Sequence, residues 1–513
     1  MTMENREETS VLVIGGSLVG LSAALFLAWR GVRTLLVERY PGSSPHPRAI
    51  GYTPRTLELY RAVGLNVPEA PRDFRLRRAR IESLAGQWFE ESAWNPAASA
   101  APKIEYSPHT GAALAQDVLE PMLRQRALEL GAEIRLETEL VHFQQDEAGV
   151  TARVRRSDGS EYDIRAAYLV AADGHRSTTR EALGIGRKGR GLIRTLRSVL
   201  FRAPLEQYLA AGVSQFSIDQ PDLQAFLTTY ADGRWVLMFA DDEEREVRSL
   251  IEKALGRSDV PIEVLAHGRW ELAALVAESF SSGRVFLAGD AAHCLPPTRG
   301  GYGANTGIDD AHNLAWKLAA VLSGTSTPAL LATYDSERRA IAWLRHNQIF
   351  ARPDYQAVAA GFDQGIAIID DDAMEFGQLY RSSAVIGASE GLPPALRPEQ
   401  WSGQPGTRAP HVVLEDGRST LDLFQRGWVV LAMDDAWRAA ATTVSQELGI
   451  DIQFVAADVR DAYGIGLSGA SVIRPDGYIA WRAADLPIGP ARSLAQVLGQ
   501  LSSAAQAHSG ELR

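Results

Sequence analysis

Residues 11–31 read VLVIGGSLVGLSAALFLAWRG, and this stretch decides the fold of the N-terminal part of the chain. It opens with four apolar, mostly β-branched residues, which is typical of a strand buried in a parallel sheet. After the glycines, residues 18–30 are apolar nearly all round and end at Gly31, where a glycine commonly terminates a helix. A second apolar run, VRTLLVE, follows at residues 32–38. The order of strand, glycine turn, helix and strand predicts a βαβ unit of the dinucleotide-binding (Rossmann) type.

The glycine turn differs from the usual G-x-G-x-x-G fingerprint at its middle position, where Ser17 replaces glycine. The middle glycine normally lets the backbone come close to a pyrophosphate. A serine with a negative φ fits the same place, and its hydroxyl can then donate to a phosphate oxygen. Gly15, Gly16 and Gly20 still provide the tight turn and the close packing of helix on strand. Glu38 ends the second strand about twenty residues further on, where a carboxylate accepts hydrogen bonds from a ribose hydroxyl.

The composition limits the class of protein. The chain has 513 residues, of which 46% are hydrophobic, so it is long enough for roughly two to four domains with sizeable cores. Its net charge of −11 disfavours nucleic acid or an anionic membrane as the main partner. Cys294 is the only cysteine, which excludes an internal disulfide, and no His/Cys cluster has the spacing of a metal site. Residues 1–10 are polar and lack the apolar core of a secretory signal, so we expect a cytoplasmic protein.

Three further segments carry residues that suit the same nucleotide. Arg39 and Arg48 flank a loop rich in proline, glycine and serine, and guanidinium groups suit phosphates and adenine rings. Gln116 begins an amphipathic segment that predicts a helix, and an apolar strand-like run ends at Asp173 and a glycine. The literal motif GIGRKG at residues 184–189 follows a helix-like segment and precedes no apolar helix, so we interpret it as a loop.

The stretch GRVFLAGDAAHCLPPTRGGYGANTGIDDAHNLAWKLAAVLSG, residues 283–324, is the most informative of the chain. Asp290 follows a predicted buried strand, where its carboxylate can bind sugar hydroxyls. The loop PPTRGGYG offers exposed backbone amides that can lie against a flat ring, and a long helix begins after it. Helix N-termini stabilise negative charge, such as that on the pyrimidine edge of a reduced flavin. His293 is interpreted as a packing residue and Cys294 as a small buried one.

Together these segments resemble the para-hydroxybenzoate hydroxylase family of single-component, FAD-dependent aromatic monooxygenases, from about residue 10 to 340. The resemblance is specific because the GxGxxG-like turn, the strand-end Glu, the DG motif and GD…PP…GGxGxNTGI occur in this order. Within the family, SSPHPRAIGYTPRTLELYR at 43–61 and GGYGANTGIDDAHNLAWKL at 300–318 are most similar to actinobacterial hydroxylases of aromatic polyketides. The resemblance implies non-covalent FAD, NADPH as a transient co-substrate, and O₂.

The resemblance also assigns roles by position. Glu38 would bind the adenosine ribose, Arg48 and Gln116 would contact the FAD chain, and Asp290 would hold the ribityl chain. Asp173 would lie where the family's DG motif serves both FAD and NAD(P)H. The flavin-facing loop would contain Pro297, Arg299, Gly300 and Gly301, and Arg299 departs from the small or apolar residue expected there. The expected cofactor contacts are Gly15, Ser17, Leu18, Val19, Glu38, Arg39, Arg48, Gln116, Asp173, Gly289, Asp290, Pro297, Gly301, Gly303, Ala304 and Asn305.

The middle of the chain has a different pattern. Residues 186–283 contain alternating or continuous apolar runs separated by turn signals, which predict a mainly antiparallel sheet that covers the flavin. Part of residues 76–105 is expected to join it. Aromatic residues of this region are candidates for a substrate pocket, although each is more often a plain core residue. These candidates are Phe216, Phe226, Tyr230, Trp235 and Phe239, with Trp270 as a further one.

From residue 395, strand–helix alternation predicts a small α/β domain that resembles the thioredoxin-like domain of larger family members. Without cysteines it has no thioredoxin redox chemistry. Because it lies outside every cofactor motif, its removal is predicted to leave flavin binding intact. The predicted fold is α/β (α+β overall), with a Rossmann-like FAD-binding domain in three parts (1–75, 106–185 and 284–394), a substrate domain in two (76–105 and 186–283) and the thioredoxin-like domain (395–513).

The function implied by the resemblance is hydroxylation of an aromatic polyketide by a monomer or homodimer. NADPH would reduce the FAD, and O₂ would add to the reduced flavin as a C4a-hydroperoxide that an electron-rich ring attacks. No metal takes part in this chemistry. Two alternatives stay open: Baeyer–Villiger oxygen insertion on the same fold, and a flavin oxidoreductase that does not activate O₂. The residues do not separate these three outcomes, nor do they identify the polyketide.

Overall fold

The computed structural model describes residues 7–46, 48–72, 77–93, 104–240, 246–297, 301–352, 365–424 and 426–503. It is a mixed α/β structure in which helices pack on three larger sheets. The α-helices are α1 (Leu18–Trp29), α2 (Pro54–Ala62), α3 (Gln116–Glu129), α4 (Thr178–Ala182), α5 (Val247–Leu255), α6 (Tyr302–Leu322), α7 (Ala332–Ala351), α8 (Asp371–Phe376), α9 (Pro398–Trp401), α10 (Ala436–Leu448), α11 (Arg460–Tyr463) and α12 (Pro490–Leu501). In these ranges no helix is long and apolar enough to cross a bilayer.

The first sheet contains the predicted βαβ unit. Its strands are β1 (Glu7–Ile14), β2 (Thr34–Val37), β7 (Glu133–Arg135), β8 (Thr138–Gln145), β9 (Val150–Arg156), β10 (Glu161–Ala171), β16 (Ser281–Ser282) and β17 (Val285–Leu287). The central order is β16-β17-β10-β1-β2-β7, and β1 pairs in parallel with both β2 and β10. Helix α1 packs against α3 and α6, which buries ten of its twelve residues. This burial on several sides explains why the helix is apolar nearly all round.

The second sheet is mainly antiparallel, as the sequence predicts for this region. Its strands are β4 (Arg77–Ile81), β5 (Trp88–Ala93), β11 (Arg187–Arg202), β12 (Gln215–Gln220), β13 (Leu223–Thr229), β14 (Arg234–Ala240), β15 (Glu263–Ala277) and β18 (His293–Cys294). The order is β18-β15-β11-β14-β13-β12-β4-β5, so part of the segment 76–105 does join this sheet. One face of the sheet buries its apolar side chains against α5. The opposite face carries Ser198 of β11, which hydrogen-bonds His46 in the loop after β2 at 2.9 Å.

The third sheet is formed near the C-terminus by β19 (Trp428–Ala432), β20 (Ile452–Ala456), β21 (Ala470–Ile473) and β22 (Ile479–Ala483), in the order β20-β19-β21-β22. The pair β19–β20 is parallel, and the other two pairs are antiparallel. A short ladder of β3 (Gly51–Tyr52) and β6 (Ala112–Ala113) lies outside the three sheets. The third sheet and its helices share a core with α6, in which Trp316 meets Trp428 edge to face.

Candidate cofactor site

The turn between β1 and α1 leaves no room for a side chain at three glycines. A Cβ on Gly15, whose φ is +102°, would lie 2.4 Å from the carbonyl oxygen of Ala172. A Cβ on Gly16 would lie 2.7 Å from the Cβ of Glu38, and one on Gly20 would lie 1.8 Å from the Gly15 oxygen. These separations are too short for any larger residue, so the glycines are what bring β1, β2, β10 and α1 together.

Ser17 occupies the N-cap of α1 with φ −92° and ψ −172°, so the negative φ predicted from the sequence is present. Its hydroxyl donates to Glu120 Oε1 at 2.7 Å and accepts from Gln116 Nε2 at 2.9 Å. Gln116 Nε2 also donates to the same Glu120 oxygen at 2.7 Å. In the structure the acceptor of the serine hydroxyl is therefore a carboxylate of α3, where the sequence predicts a phosphate. The serine thus ties the start of α1 to the start of α3.

Gln116 also holds the loop that carries Arg48. Its Oε1 accepts the backbone N–H groups of Arg48 and Ala49 at 3.3 Å each, and its own N–H donates to the Ala49 oxygen at 2.9 Å. The side chain of Arg48 stays exposed. Three residues predicted to contact the cofactor, Ser17, Arg48 and Gln116, are thereby brought together at one end of α1.

A cavity of about 300 Å³ opens at the carboxyl ends of β1 and β2, the edge where parallel sheets bind nucleotides. The carboxylate of Glu38 borders it and accepts the backbone N–H groups of Gly16 and Tyr40, the latter at 2.9 Å. Carboxylates that line the cavity suit the hydroxyls of a ligand, and the guanidinium groups suit its phosphates. The lining residues are Ile14, Gly15, Val37, Glu38, Arg39, Thr138, Glu139, Leu140, Val141, Arg155, Asp173, Arg176 and Thr178.

Asp173, just after β10, also lines this cavity. Its Oδ2 accepts the backbone N–H of Thr179 at 3.1 Å, near the start of α4. Its Oδ1 is buried and has no hydrogen-bond partner among the described residues. A buried carboxylate oxygen without a partner is rare in proteins, so a donor from a bound molecule fits this position. The observation supports a ligand at the predicted DG motif.

The turn that carries Asp290 rests on a buried ionic cluster. Gly289 begins this turn with φ +60°, and its N–H donates to Asp310 Oδ2 at 3.1 Å. The same oxygen contacts His293 Nε2 at 2.8 Å, and Arg338 Nε donates to Asp310 Oδ1 at 2.7 Å. Burial by itself would raise the pKa of Asp310, but Arg338 and His293 outweigh it and hold the pKa at about 2. His293 therefore packs within a polar cluster, and the side chain of Asp290 remains only half buried.

Close packing of α1 on α6 holds this turn against the first βαβ unit. A Cβ on Gly289 would lie 2.8 Å from Val19 Cγ2, and a Cβ on Gly307 would lie 2.5 Å from the same atom. Val19 is thus a contact between helices, and Leu18 is buried in the same core. Gly303 has only an ordinary contact at its Cβ position, and Ala304 packs against the main core.

Asn305 fixes the start of α6 through both ends of its amide. Its Oδ1 accepts the N–H of Thr53 at 3.2 Å and the hydroxyl of Thr56 at 2.7 Å. Its Nδ2 donates to the carbonyl of Gly301 at 2.8 Å and more weakly to that of Gly51. Asn305 therefore orients the first turn of α6 by bonds within the protein. The flanking Pro297 and Gly301 belong to the described chain, whereas Arg299 and Gly300 lie outside the described residues.

The aromatic candidates divide between the two faces of the second sheet. Phe216, Trp235 and Phe239 belong to the core beneath α5. The structure thus places these three candidates in a core, whereas the sequence prediction put them in a substrate pocket. Alternation along the strands causes this, because their neighbours in sequence point to the opposite face.

Phe226 and Trp270 lie on the other face. Phe226 pairs directly with Met238, Met238 with Ser198, and Ser198 with Gly268, so these residues form one row across four strands. Ser198 contacts His46, so this row faces the loop that follows β2. Trp270 follows Gly268 by two residues and shares its face, and its buried Nε1 has no partner among the described residues.

Tyr230 lies in the turn after β13, at the border with α3. Arg234 stacks on its ring at 5.1 Å and forms an ion pair with Asp117 of α3 at 2.6 Å. The residue therefore belongs to the junction between the second sheet and α3, rather than to the row that contains Phe226.

Three residues of the site were not predicted from the sequence: Glu120, Asp310 and Arg338. Glu120 follows Gln116 by four residues on a helix, so the two share a face, and this spacing was a usable signal. Asp310 lies inside the stretch quoted above, on the helix face opposite to solvent. Arg338 lies 28 residues further along the chain, and no local pattern links it to Asp310.

A model of an FAD-binding domain matches residues 8–348, and a model of the C-terminal part of aromatic-ring hydroxylases matches residues 402–505. The chain belongs to the FAD-dependent aromatic-ring hydroxylases. Its relatives in this family include polyketide hydroxylases, so the resemblance noted in the sequence is confirmed.

Similar members of the family match over nearly their whole length. The chain is 39% identical to 4-methyl-5-nitrocatechol 5-monooxygenase of Burkholderia sp, covering 96% of this chain and 97% of the relative. It is also 39% identical to aklavinone 12-hydroxylase of Streptomyces purpurascens, covering 96% and 99%. A crystal structure of aklavinone-11 hydroxylase in a ternary complex with FAD and aklavinone superposes with a TM-score of 0.88 at 38% identity, covering 97% and 99%. The similarity to this hydroxylase therefore extends over all three sheets of the chain.

Proposed function

We propose that this chain is a monooxygenase that uses FAD, NADPH and O₂ to hydroxylate an aromatic polyketide of several fused rings. The observation that carries the proposal is the likeness, over nearly all of both chains, to a hydroxylase whose structure holds FAD and aklavinone. The polar cavity at the strand ends and the second sheet beside it are consistent with a cofactor and a flat substrate that meet between them.

The residues present fit FAD. The carboxylate of Glu38 suits the adenosine ribose, and the start of α1 suits the pyrophosphate, because no side chain of the described residues caps its first N–H groups. Asp290 is half exposed beside the turn at Gly289, where it suits the ribityl hydroxyls. Asp173 offers its buried, unpartnered Oδ1 to the same ligand or to the visiting NADPH.

FAD, when bound, would supply hydride acceptance from NADPH and the activation of O₂. The chain's own residues contribute position, charge and the exclusion of water. Helix α6 has 21 residues and begins at the proposed flavin loop, so its N-terminus stabilises negative charge there. The sheet face with Phe226 and Trp270 provides an apolar cover for an aromatic substrate. The Trp270 N–H is a donor suited to a carbonyl or hydroxyl oxygen of that substrate.

A single-ring phenol is the second candidate substrate class. The relative from Burkholderia, as similar as the polyketide hydroxylases, acts on 4-methyl-5-nitrocatechol by its name. We favour the polyketide because the ternary complex with a polyketide superposes over the whole chain.

The test is substrate-stimulated turnover by the purified protein. Anthracyclinone and tetracenomycin-type polyketides are compared with nitrocatechols, and NADPH oxidation, O₂ uptake and product mass are recorded for each. We expect faster NADPH oxidation with the polyketides and a product heavier by one oxygen, in which a ring C–H has become C–OH. NADPH oxidation stimulated by nitrocatechols alone would show that the substrate is a single-ring phenol and not a polyketide. A product with oxygen inserted beside a ketone would establish Baeyer–Villiger chemistry, and NADPH oxidation without O₂ uptake would make the protein an oxidoreductase.

For the C-terminal region we propose a thioredoxin-like domain beginning near residue 395. The strand order, with a parallel pair followed by two antiparallel strands and a final helix, supports this assignment. We also propose the boundaries 75/76, 105/106, 185/186 and 283/284 for the other two domains. The starts of β4 at Arg77 and of β11 at Arg187 support the first and third of these, whereas β18 (His293–Cys294) joins the second sheet from beyond the last.

A further inference from the structure

A buried cluster of four charged side chains joins the third sheet to α6 and α7. Glu337 of α7 accepts two hydrogen bonds from Arg474, at 2.6 and 2.9 Å, and one from Lys317 of α6 at 2.8 Å. Arg474 also contacts Asp476, with its Nε at 3.0 Å from the carboxylate. None of the four side chains is more than 1% exposed. Each side of the boundary contributes one positive and one negative charge, so the four charges sum to zero, and loss of Arg474 alone leaves the cluster with one uncompensated negative charge.

Neutral groups of α6 complete the cluster. The indole N–H of Trp316 donates to Asp476 Oδ2 at 3.1 Å. Asn313 Nδ2 donates to Glu337 at 2.8 Å and lies 3.3 Å from Asp476. Burial lowers the pKa of Lys317 to about 8, which shows how dry this boundary is. In such surroundings an uncompensated carboxylate is costly, whereas a balanced pair is not.

The same two helices carry the turn proposed to hold FAD. Arg338 follows Glu337 directly on α7 and donates to Asp310 at 2.7 Å and to the Thr306 carbonyl at 3.1 Å. Asp310 in turn accepts the N–H of Gly289. Arg474, which follows the strand β21, thus holds Glu337. The next residue of α7, Arg338, holds Asp310 beneath the turn at Gly289. Any shift of α7 that relieves Glu337 also moves Arg338 relative to that turn.

We propose that Arg474 is a positioning residue for FAD. The third sheet supplies the charge that keeps Glu337 buried, and this fixes α7 and Arg338 in the place that the Gly289–Asp290 turn requires. The proposal rests on the assignment of FAD to that turn. It reverses the sequence-based prediction for the C-terminal region: a chain that ends before residue 395 would lose both hydrogen bonds that Arg474 donates to Glu337, and we expect it to bind FAD poorly.

The test uses full-length apoprotein titrated with FAD by flavin fluorescence, well below the unfolding temperature. Arg474→Met leaves two carboxylates facing Lys317, and we expect the Kd for FAD to rise at least about tenfold. Adding Glu337→Gln restores a neutral pair of Lys317 and Asp476, so the double variant should return to within about threefold of the wild-type Kd. The visible spectrum of the bound flavin should change in the single variant and recover in the double one.

Arg426→Met is the matched control. Arg426 also links the third sheet to the first unit, since its guanidinium stacks on Trp29 at 3.7 Å and donates to the Trp29 carbonyl at 3.0 Å. It lies far along α1 from the Gly289 turn, and we expect its Kd for FAD to stay within about twofold of wild type. If weaker packing of the third sheet on the first unit were enough to reduce FAD affinity, Arg426→Met would reduce it as well.

A folded Arg474→Met protein with the wild-type Kd would overturn the proposal, as would a double variant that shows no recovery. Should Arg474→Met fail to fold, Arg474→Lys keeps the charge and loses the paired geometry. Its Kd should then lie above that of wild type, and an unchanged value would also overturn the proposal. Because only FAD binding is measured, the result is independent of which substrate the enzyme hydroxylates. Failure of the wild-type protein to bind FAD would instead refute the cofactor assignment.

Discussion

Replacing Ser17 by alanine separates two possible roles of its hydroxyl. In the structure the hydroxyl donates to Glu120 and accepts from Gln116, while Gln116 keeps its own 2.7 Å bond to the carboxylate. Ser17→Ala therefore removes two hydrogen bonds, of which the one to the charged Glu120 is a loss of about 1.5–3 kcal/mol by itself. Ser17 is exposed, so water replaces part of this bond, and we expect about 1 kcal/mol of lost stability in the apoprotein.

This loss should appear without the cofactor. We expect the Tm of the apoprotein to fall by roughly 1–3 °C, measured by circular dichroism. Glu120→Gln should cause a smaller fall, because its amide oxygen still accepts but carries no charge, and the two changes together should be less than additive because they affect the same bond. The Kd for FAD should rise by less than about threefold in Ser17→Ala and in Ser17→Gly. Ser17→Val should weaken FAD binding much more, because a β-branched side chain adds bulk at the position where the backbone of this turn normally approaches the pyrophosphate.

The opposite pattern would refute this reasoning. If the hydroxyl served a phosphate, Ser17→Ala would leave the apoprotein Tm unchanged and raise the Kd for FAD about ten- to a hundredfold. Additive effects of Ser17→Ala and Glu120→Gln on stability would likewise show that the bond between them is unimportant in solution.

Asp290→Ala should raise the Kd for FAD about ten- to a hundredfold while the fold is kept, and unchanged affinity in a fluorescence titration would make Asp290 merely structural. Burial raises the pKa of Cys294 to about 12, so iodoacetamide at pH 8 should alkylate the native thiol at least about a hundredfold more slowly than the unfolded one; equal rates by mass spectrometry would contradict this. Asp310, with a pKa of about 2, stabilises the fold above its ordinary carboxyl pKa, and this contribution is lost as the pH falls from about 4 to 2. The free energy of unfolding of Asp310→Asn should therefore change less than that of wild type between about pH 4 and pH 2. The same dependence on pH in both proteins would contradict this role of Asp310.

The cofactor unit was predictable because its determinants are local. The glycines at 15, 16 and 20 are imposed by contacts within one βαβ unit, and Glu38 follows from the length of that unit. The motifs around Asp173 and Gly289 are likewise short stretches at strand ends. Spacing along the chain fixes where such residues lie in a parallel sheet, so a single sequence carries that information.

The sequence was less informative about which face of the second sheet a side chain lies on. Phe216 and Phe226 look alike in the sequence, yet Phe216 lies beneath α5 and Phe226 lies on the opposite face of the sheet. A shift of one residue in a strand exchanges the two faces, so choosing between them needs the strand pairing as well as the pattern.

The sequence alone determined the class of cofactor, the family and most residues at the strand ends, since these depend on short-range geometry. Only the tertiary structure decided that Ser17 bonds to Glu120, that Asp310 and Arg338 lie beneath the Asp290 turn, and that Arg474 neutralises Glu337 across 137 residues of chain. Buried charges must find partners wherever the fold brings them, and the cost of leaving one unpaired depends on the whole packed interior. A linear pattern shows which residues are charged but not which of them will meet.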